Sequence, residues 1–464
     1  MKHDELAAVI LAAGKGTRMK SEQPKVLHPI AGKPMVTFPV AGALKHGCQP
    51  TVLVVGHGAE AVQAELAEDP VSFALQSEQL GTGHALLCAR QALQEFSGTL
   101  LLLCGDVPLL RDETLERLIA EHEKTRAAVT VLTAELSQPF GYGRILREGD
   151  EVLGIVEEKD ASSEQKTIRE INTGIYAFEA PFVFEALSGV GCDNAQREYY
   201  LTDVLAAARA AGRRVGAVVL EDADEAMGIN DRVQLAQASA LMRRRINENL
   251  MRAGVSFIDP EQTYIEPQVE IGPDSVIYPG VCLGGDTRIG SGCLIEAQVT
   301  IRDCQLADNV HVKPGSVLEG SRVGSDTAIG PMAHLRPGTV LAGHNKIGNF
   351  VETKKAHIGL GSKASHLTYI GDAELGANVN IGCGTITCNY DGVNKHKTVI
   401  EDDVFVGSDT QFVAPVHIGR NSLIGAGSTI TKDVPPNALA LSRSQQRVVA
   451  DWRLRHDPKC KNKD

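Results

Sequence analysis

Hydrophobic residues, all but one of them aliphatic, recur at every sixth position through long stretches of the second half of the chain. The three runs are Ile265, Ile271, Ile277, Leu283, Ile289, Ile295 and Ile301; Val323, Ile329, Leu335, Leu341 and Ile347; and Ile400, Val406, Phe412, Ile418, Ile424 and Ile430. Neither the 3.6-residue period of a helix nor the two-residue alternation of a strand produces this spacing. Hexapeptide repeats are typical of a parallel β-helix, in which each coil buries its aliphatic corners against neighbouring coils. The pattern therefore predicts a β-helix over about 255–437, with the aperiodic segment 388–398 looping out of its coil.

The first half of the chain has a different pattern, in which short apolar runs alternate with helical ones. Residues 6–11, Thr51–Val55 and Thr99–Cys104 are candidate buried strands, and Ala59–Ala67 and Asp112–Arg126 are candidate helices. Such alternation predicts a mostly parallel α/β sheet, whose ligand crevice lies at the carboxyl ends of the strands. We assign residues 1–230 to this domain.

A segment with a single apolar helical face connects the two halves. Its apolar members are Leu235, Ala238, Met242, Ile246 and Leu250. Their spacing of three or four residues marks a single helical face, and Gly254 supplies a stop. We therefore predict a helical linker at 231–254 and assign 255–464, the β-helix with a C-terminal tail, to the second domain.

Composition narrows the classes of function. The net charge of -12 argues against a nucleic-acid partner, and no apolar stretch approaches the ~18 residues that a membrane span needs. The N-terminus has no signal-peptide pattern, and the ten cysteines show no CxxC pair and no zinc-ligand spacing. We therefore expect a cytoplasmic protein with reduced thiols and no membrane association.

A glycine loop follows the first predicted strand. In Gly14-Lys15-Gly16-Thr17-Arg18 the two glycines allow backbone N–H groups to face phosphate oxygens, and Lys15, Arg18 and Lys25 add positive charge. The loop matches neither the dinucleotide nor the Walker fingerprint, so a purely structural turn stays an alternative. Asp106 follows a strand directly, where a carboxylate can hold a hard cation; a turn Asp before Pro108 is the alternative.

Several segments of this half resemble the sugar-nucleotide pyrophosphorylase family. They are LAAGKGTRM at 11–19, PKVL at 24–27, GTG at 81–83 and GDVP at 105–108. Enzymes of this family join a sugar 1-phosphate to a nucleoside triphosphate and release pyrophosphate, a reaction that needs charge neutralisation more than covalent help. LQSEQLGTGHA at 75–85, GYGR at 141–144, IVE at 155–157, NTG at 172–174 and GIN at 228–230 further resemble the uridylyltransferase half of a bifunctional bacterial family.

The resemblance implies a role for each matching position. Gln76, Gly81 and Thr82 would bind the uracil of UTP, and Gly143, Glu157 and Asn172 would bind N-acetylglucosamine. Asp106 and Asn230 would bind Mg²⁺, with Arg18 and Lys25 acting as catalytic cations on the phosphates. The other implied nucleotide-binding positions are Leu11, Ala12, Ala13, Gly14, Cys104 and Gly105. Cys104 replaces a Tyr that some relatives have, at a position expected to contribute mainly backbone.

Five segments of the β-helix resemble the acetyltransferase half of the same bifunctional family. They are HLRPG, NFVETKKA, SHLTYIGD, NVNIG and TCNYDG, all within 334–392. The implied reaction is acetyl transfer from acetyl-CoA to the amine of glucosamine 1-phosphate. Because an ammonium cannot attack a thioester, a base must take its proton, and imidazole, with an ordinary pKa of about 6.5, suits that task. His366 is the candidate base by its place in SHLTYIGD, whereas an arbitrary member of the 14 histidines would be structural.

The resemblance also implies two sets of ligands in this half. Glucosamine 1-phosphate would be bound by Arg336, Glu352, Lys354, Tyr369, Asn380 and Lys395. Acetyl-CoA would be bound by Cys383, Asn389, Tyr390, Ser408, Ala426 and Arg443. Cys383 stands where relatives usually have Ala, and it adds a thiol to the expected acetyl-CoA site.

The two halves together imply an α/β fold with a Rossmann-like nucleotidyltransferase domain, a helical linker and a left-handed parallel β-helix. The expected activity is acetylation followed by uridylylation, giving UDP-N-acetylglucosamine, the precursor of peptidoglycan and lipopolysaccharide. By family resemblance we expect a homotrimer with sites between subunits. Two alternatives stay open: a nucleotidyltransferase with the β-helix as trimer scaffold, and a catalytically silent regulatory subunit. The cations and carboxylate of the first half argue against the second alternative, and the polar cluster around His366 argues against the first.

Overall fold

The computed structural model describes residues 5–192 and 194–457. The chain forms two compact units, Met1–Arg243 and Arg244–Asp464. The boundary falls inside the helix Arg232–Arg252, which occupies the segment of the predicted linker. The functional boundaries at 230 and 254 stay a prediction, and the predicted tail beyond residue 457 lies outside the described residues.

Eight α-helices lie in the described part of the chain. They are α1 Thr37–Lys45, α2 Ala59–Glu65, α3 Thr82–Cys88, α4 Asp112–Thr125, α5 Ala180–Ser188, α6 Asp203–Ala210, α7 Arg232–Arg252 and α8 Trp452–His456. Short 3₁₀ helices occupy Thr17–Met19, Lys25–Leu27, Arg90–Leu93, Gln165–Thr167, Ala223–Ala226 and Pro260–Gln262. Among the described residues, no helix combines the length and the apolar character that crossing a membrane requires.

The first unit is built on a twisted sheet of nine strands. The unit's strands are β1 Leu6–Ala12, β2 Pro29–Ile30, β3 Lys33–Pro34, β4 Thr51–Val55, β5 Ser72–Leu75, β6 Thr99–Cys104, β7 Val129–Glu135, β8 Arg144–Glu148, β9 Glu151–Val156, β10 Glu170–Glu179 and β11 Val215–Val219. The main order is β11-β7-β10-β6-β1-β4-β5, with the β8–β9 hairpin attached to β10 and β2–β3 forming a separate ribbon. The predicted strands at 6–11, 51–55 and 99–104 are confirmed as β1, β4 and β6.

Strand direction in this sheet is mixed rather than uniformly parallel. The central strand β1 pairs in parallel with β4 and β6, and it is apolar throughout because helices cover both of its faces. Strand β10 runs antiparallel to both β6 and β7. The carboxyl ends of β1 and β6 nevertheless lie side by side, which brings the glycine loop and the segment after Cys104 to one edge.

The second unit is a left-handed parallel β-helix. Its strands are β12 Ser256–Phe257, β13 Tyr264–Ile265, β14 Glu270–Ile271, β15 Val276–Ile277, β16 Cys282–Gly284, β17 Arg288–Ile289, β18 Leu294–Ile295, β19 Thr300–Arg302, β20 Gln305–Leu306, β21 His311–Val312, β22 Val317–Glu319, β23 Arg322–Val323, β24 Ala328–Ile329, β25 His334–Leu335, β26 Val340–Leu341, β27 Lys346–Ile358, β28 Lys363–Leu375, β29 Asn380–Ile381, β30 Ile386–Cys388, β31 Thr398–Ile400, β32 Phe405–Val406, β33 Gln411–Val413, β34 Val416–Ile418, β35 Leu423–Ile424, β36 Thr429–Ile430 and β37 Leu439–Ala440. Every residue of the three hexapeptide runs is buried in the core of this unit.

Successive coils stack in register, so equivalent residues are usually 17 or 18 positions apart. Between β30 and β31 the chain leaves the coil, and contacts across that interruption span 25 residues. The loop at 388–398 therefore projects from the β-helix, as the break in the period predicts.

Candidate active sites

The glycine loop and Asp106 are brought together by a close approach of two backbones. The N–H of Gly105 donates to the carbonyl of Leu11 at 2.9 Å. A Cβ at position 105 would lie only 3.0 Å from that oxygen, so the close approach favours glycine. Asp106 consequently lies beside the loop that begins after Ala12.

Lys25, Asp106 and Asn230 form a cluster at this edge of the sheet. The ammonium of Lys25 forms an ion pair with the Asp106 carboxylate and donates to Asn230 Oδ1 at 3.2 Å. A backbone hydrogen bond of 3.0 Å from Ile229 to Asp106 fixes the approach of the two segments. The two oxygen ligands predicted for Mg²⁺ thus converge on one cationic group. Arg18 is exposed on the nearby 3₁₀ turn.

Gln76, Gly81 and Thr82 lie together at the start of α3. Gln76 is buried, and its amide nitrogen donates to the carbonyl of Gly81 at 3.2 Å. Gly81 has a φ of +103°, and a Cβ there would lie 2.8 Å from the Cβ of Glu198. Gly81 is therefore required by both conformation and space, and it places Thr82 as the first residue of the helix.

Gly143, Glu157 and Asn172 also converge, on the β8–β9–β10 side of the sheet. The N–H of Asn172 donates to the carbonyl of Gly143 at 2.9 Å, and a Cβ at Gly143 would lie 3.4 Å from Glu157 Oε2. Burial raises the pKa of Glu157, and the hydroxyl of Thr202 donates to this carboxylate at 3.4 Å. A Cβ at Gly143 would therefore reduce the space beside Glu157.

Tyr176 contacts the side chain of Asn172, a relationship that the sequence analysis missed. Its hydroxyl donates to Asn172 Oδ1 at 2.8 Å, and the N–H of Gly174 donates to the same oxygen at 2.9 Å. With its carbonyl oxygen taken by two donors, the amide has its NH₂ group free for a ligand. Tyr176 lies four residues further along the same strand, and nothing in that local spacing singles it out.

In the β-helix, Arg336, Glu352, Lys354 and Tyr369 occupy adjacent coils. Glu352 and Tyr369 face each other in register, and Arg336 Nη1 is 2.8 Å from Glu352 Oε1. The side chain of Lys395, from the projecting loop, lies against Lys354 and lowers the pKa of Lys354. Two ammonium groups this close favour an anion between them.

Asn380 lies on a different face of the β-helix from this cluster. It pairs with Lys363 and Phe405, whereas Tyr369 pairs with Glu352 and Ile386. Within one chain, the structure therefore divides the predicted sugar-phosphate residues between two faces.

His366, Cys383, Ser408 and Ala426 form one line along the β-helix, which we call the active-site row. Each lies two residues after an inward-pointing residue of its own coil. These inward-pointing residues are Ala364, Ile381, Val406 and Ile424, and each pairs in parallel with the next one. Coils of a β-helix are spaced by roughly 4.8 Å, so the row extends from the imidazole of His366 past three small side chains. At its far end, a Cβ at Gly427 would lie 3.6 Å from Arg443 Cδ.

The projecting loop is held by contacts of its own. Asn389 Nδ2 donates to Asp372 Oδ2 at 2.5 Å, and Tyr390 pairs with Lys395 across the loop. A hydrogen bond from the His396 ring lowers the pKa of Asp391 to about 2. These contacts hold Lys395 next to Lys354.

Comparison with known protein families finds different families in the first and second halves of the chain. Residues 8–170 match the family model of the MobA-like NTP transferase domain. Residues 260–368 match the GMPPB C-terminal domain, and residues 397–432 match the bacterial transferase hexapeptide (six repeats).

Three relatives that match nearly the whole chain have the same name. The bifunctional protein GlmU of Pelobacter propionicus is 59% identical over 97% of this chain and 99% of its own length. That of Trichlorobacter lovleyi is 56% identical over 97% and 98%, and that of Halalkalibacterium halodurans is 52% identical over 95% and 96%. With such identity across both units, this chain belongs to the family of the bifunctional protein GlmU.

Proposed function

We infer that this chain makes UDP-N-acetylglucosamine in two steps. Acetyl-CoA first acetylates the amine of glucosamine 1-phosphate in the β-helix, and UTP then uridylylates the product in the first unit with release of pyrophosphate. The chain is thus both an acetyltransferase and a nucleotidyltransferase. The observation that carries this inference is that each compact unit has its own polar cluster, around Asp106 in one and along the active-site row in the other.

For uridylyl transfer, we propose Mg²⁺ as the divalent cation, with Asp106 and Asn230 as its protein ligands. Their two oxygens already converge on a cationic group, Lys25 Nζ, so the donor set fits a hard cation. When bound, Mg²⁺ supplies neutralisation of phosphate charge. Arg18 and Lys25 then hold the remaining phosphate charge, which positions the α-phosphorus for attack.

The nucleotide and the sugar bind on either side of this cluster. The backbone of Leu11, Ala12, Ala13 and Gly14 lies along the nucleotide, as does that of Cys104 and Gly105. Gln76, Gly81 and Thr82 bind the uracil at the start of α3. Gly143, Glu157 and Asn172 bind the N-acetylglucosamine, and the NH₂ group of Asn172 donates to it because its carbonyl oxygen is already engaged.

For acetyl transfer, His366 acts as the base. Its imidazole takes a proton from the ammonium of glucosamine 1-phosphate, and the free amine attacks the thioester carbonyl carbon. The C–S bond then breaks, and the proton that the nitrogen loses on forming the amide neutralises the departing CoA thiolate. Arg336, Lys354 and Lys395 bind the sugar phosphate through charge-assisted hydrogen bonds. Glu352, Tyr369 and Asn380 bind the sugar.

The active-site row accommodates the pantetheine arm of acetyl-CoA. Cys383, Ser408 and Ala426 have small side chains, so an extended arm can lie along the coils with its thioester beside His366. Asn389 and Tyr390 border the thioester end, and Arg443 binds the opposite end, where the phosphates of CoA would lie.

We further propose that the chain works as a homotrimer. Met332, Phe350 and Leu367 are exposed apolar side chains at successive coils next to the active-site row, and such contiguous patches mark interfaces. A neighbouring copy packed there would also supply Asn380, which lies on another face. Light scattering of the purified protein tests this: three times the 49.5 kDa chain mass is expected.

We place the enzyme in the cytoplasm, where UTP and acetyl-CoA are available. The test of the bifunctional assignment is mass spectrometry after incubation with glucosamine 1-phosphate and acetyl-CoA, without UTP. A product heavier by one acetyl group supports it. Protein that makes UDP-N-acetylglucosamine from N-acetylglucosamine 1-phosphate and UTP, but acetylates nothing, would reduce the β-helix to a scaffold.

A further inference from the structure

Asn349 lies directly against the imidazole of His366. Its Oδ1 is 2.8 Å from His366 Nδ1, and the two residues face each other in register across β27 and β28. Asn349 follows the inward-pointing Ile347 by two residues, as His366 follows Ala364. Asn349 therefore extends the active-site row by one coil, and equivalent side chains of adjacent parallel strands point the same way and meet.

This contact selects one form of the imidazole ring. With Asn349 Oδ1 facing the ring, the contact is a hydrogen bond only when Nδ1 carries the proton, because an amide oxygen can only accept. In a neutral ring the lone pair is then on Nε2, the nitrogen directed away from Asn349. That nitrogen is the one that can accept a proton from a substrate ammonium.

The partner of His366 also differs in charge from the partners of four other imidazoles in this unit. His334 and His417 each lie 3.1 Å from a glutamate carboxylate, and His311 and His396 are also paired with carboxylates. A carboxylate favours the protonated imidazolium, which cannot act as a base. A neutral amide fixes the ring without adding negative charge.

We propose that Asn349 is a positioning residue for acetyl transfer, which holds His366 in its Nδ1-protonated, Nε2-basic form. This proposal rests on the proposed role of His366 as the base. Asn349 acts through His366 and needs no contact with either substrate.

The other titratable groups near the ring are known from the register of the coils. Lys346 and Lys363 lie three residues before Asn349 and His366, and Glu352 and Tyr369 lie three residues after them. Cys383 occupies the equivalent position of the following coil. Only Asn349 hydrogen-bonds the His366 ring among the contacts of the described residues, so changing its charge should change the proton affinity of the ring most directly.

The experiment measures acetylation by Asn349→Ala and Asn349→Asp as a function of pH. We expect Asn349→Ala to lower kcat on the order of tenfold and to leave both KM values within about twofold, since the substrate contacts are elsewhere. Asn349→Asp should move the acidic limb of the kcat profile to higher pH by about one unit, because a carboxylate favours the imidazolium. Nitrogen-15 NMR of labelled histidine should show Nδ1 of His366 protonated in the parent protein.

Asn309→Gly is the matched control. Asn309 makes an amide contact of 3.3 Å with Asp326 between adjacent coils at a different corner, and glycine tolerates its φ of 58°. This variant should acetylate at the parental rate, and thermal melting of all variants shows whether the β-helix is folded.

The contrary outcomes distinguish failure of the positioning role from failure of the base assignment. If kcat of Asn349→Ala is parental while His366→Ala has lost acetylation, Asn349 has no positioning role and the base assignment stands. The same conclusion follows if Asn349→Asp is slow but its acidic limb does not move, or if the NMR spectrum shows the proton on Nε2. If His366→Ala acetylates normally, the base assignment itself fails.

Discussion

Lys25 donates from its ammonium group to Asn230 Oδ1 at 3.2 Å, although the two residues are 205 positions apart. The same ammonium forms an ion pair with the partly buried Asp106 carboxylate. One positive charge thus stabilises both proposed cation ligands. A divalent cation held by Asp106 and Asn230 would compete with Lys25 for these oxygens, and the Lys25 ammonium would then be available to the nucleotide phosphates.

Replacing Lys25 with Met should therefore strengthen cation binding in the absence of nucleotide. We expect Mn²⁺ to bind roughly fivefold more tightly, since a competing ion pair of this kind is worth about 1 kcal/mol. Electron paramagnetic resonance of free Mn²⁺ measures this without reference to turnover. Lys15→Met, which removes an exposed lysine of the same loop, is the control and should leave Mn²⁺ affinity unchanged; equal affinities in parent and Lys25→Met would refute the competition.

The two activities should be separable by single substitutions. Asp106→Ala removes a cation ligand, so uridylylation should fall by at least a hundredfold while acetylation persists. His366→Ala should abolish acetylation and preserve uridylylation, because the two clusters lie in different compact units. Coupled assays on each purified variant measure both rates, and loss of both activities in either variant would indicate misfolding instead.

Tyr176→Phe tests how Asn172 is oriented. Removing the hydroxyl takes one of two donors from Asn172 Oδ1, at a cost of about 1 kcal/mol. We expect KM for N-acetylglucosamine 1-phosphate to rise roughly fivefold with little change in kcat. Tyr278→Phe, in the β-helix, is the control for loss of a phenol, and an unchanged KM in Tyr176→Phe would exclude this role.

The elements with strong local periodicity were predictable from sequence. The hexapeptide residues are all buried, because a repeating aliphatic position has only one way to stack in a coil. The antiparallel direction of β10 was not predictable, since strand direction depends on long-range connections rather than on local pattern.

Relationships within the sites depend on register between distant residues. Asn349 and His366 are 17 residues apart and lie on adjacent coils. Once the coil length is known, this contact can be predicted from the sequence. The same offset fails across the loop at 388–398, where it becomes 25, so Ser408 joins the row only when the structure is known. Family resemblance identified His366 as the candidate base but gave no role to Asn349. Such a resemblance indicates the residues that contact ligands, and it does not indicate the residues that orient those side chains.

The buried His122 should make the protein less stable at acidic pH. Burial lowers its pKa to about 4, and its Nδ1 is 2.9 Å from Thr130 Oγ1. The folded chain therefore keeps this ring neutral while the unfolded chain, with an ordinary value of 6.5, takes up a proton. The stabilisation is complete above pH 6.5 and is lost as the pH falls toward 4.

His122→Asn removes this titration while retaining a polar partner for Thr130. Between pH 7.5 and 5.0 the parent should lose about 2 kcal/mol more unfolding free energy than the variant. Urea unfolding followed by circular dichroism at both pH values measures the difference. Parallel losses in the two proteins would show that His122 does not contribute to the acid sensitivity.

Cys383 should make acetyl transfer sensitive to thiol reagents. Its side chain is exposed within the active-site row, so an alkyl group attached there would lie in the path proposed for pantetheine. Cys104, in the other unit, should be protected, because burial raises its pKa to about 12 and the thiolate is the reactive form. We expect iodoacetamide to block acetylation well before uridylylation, with Cys383→Ala resistant. Two rate assays and peptide mass spectrometry after timed alkylation measure this, and a Cys383→Ala variant as sensitive as the parent would place the reactive thiol elsewhere.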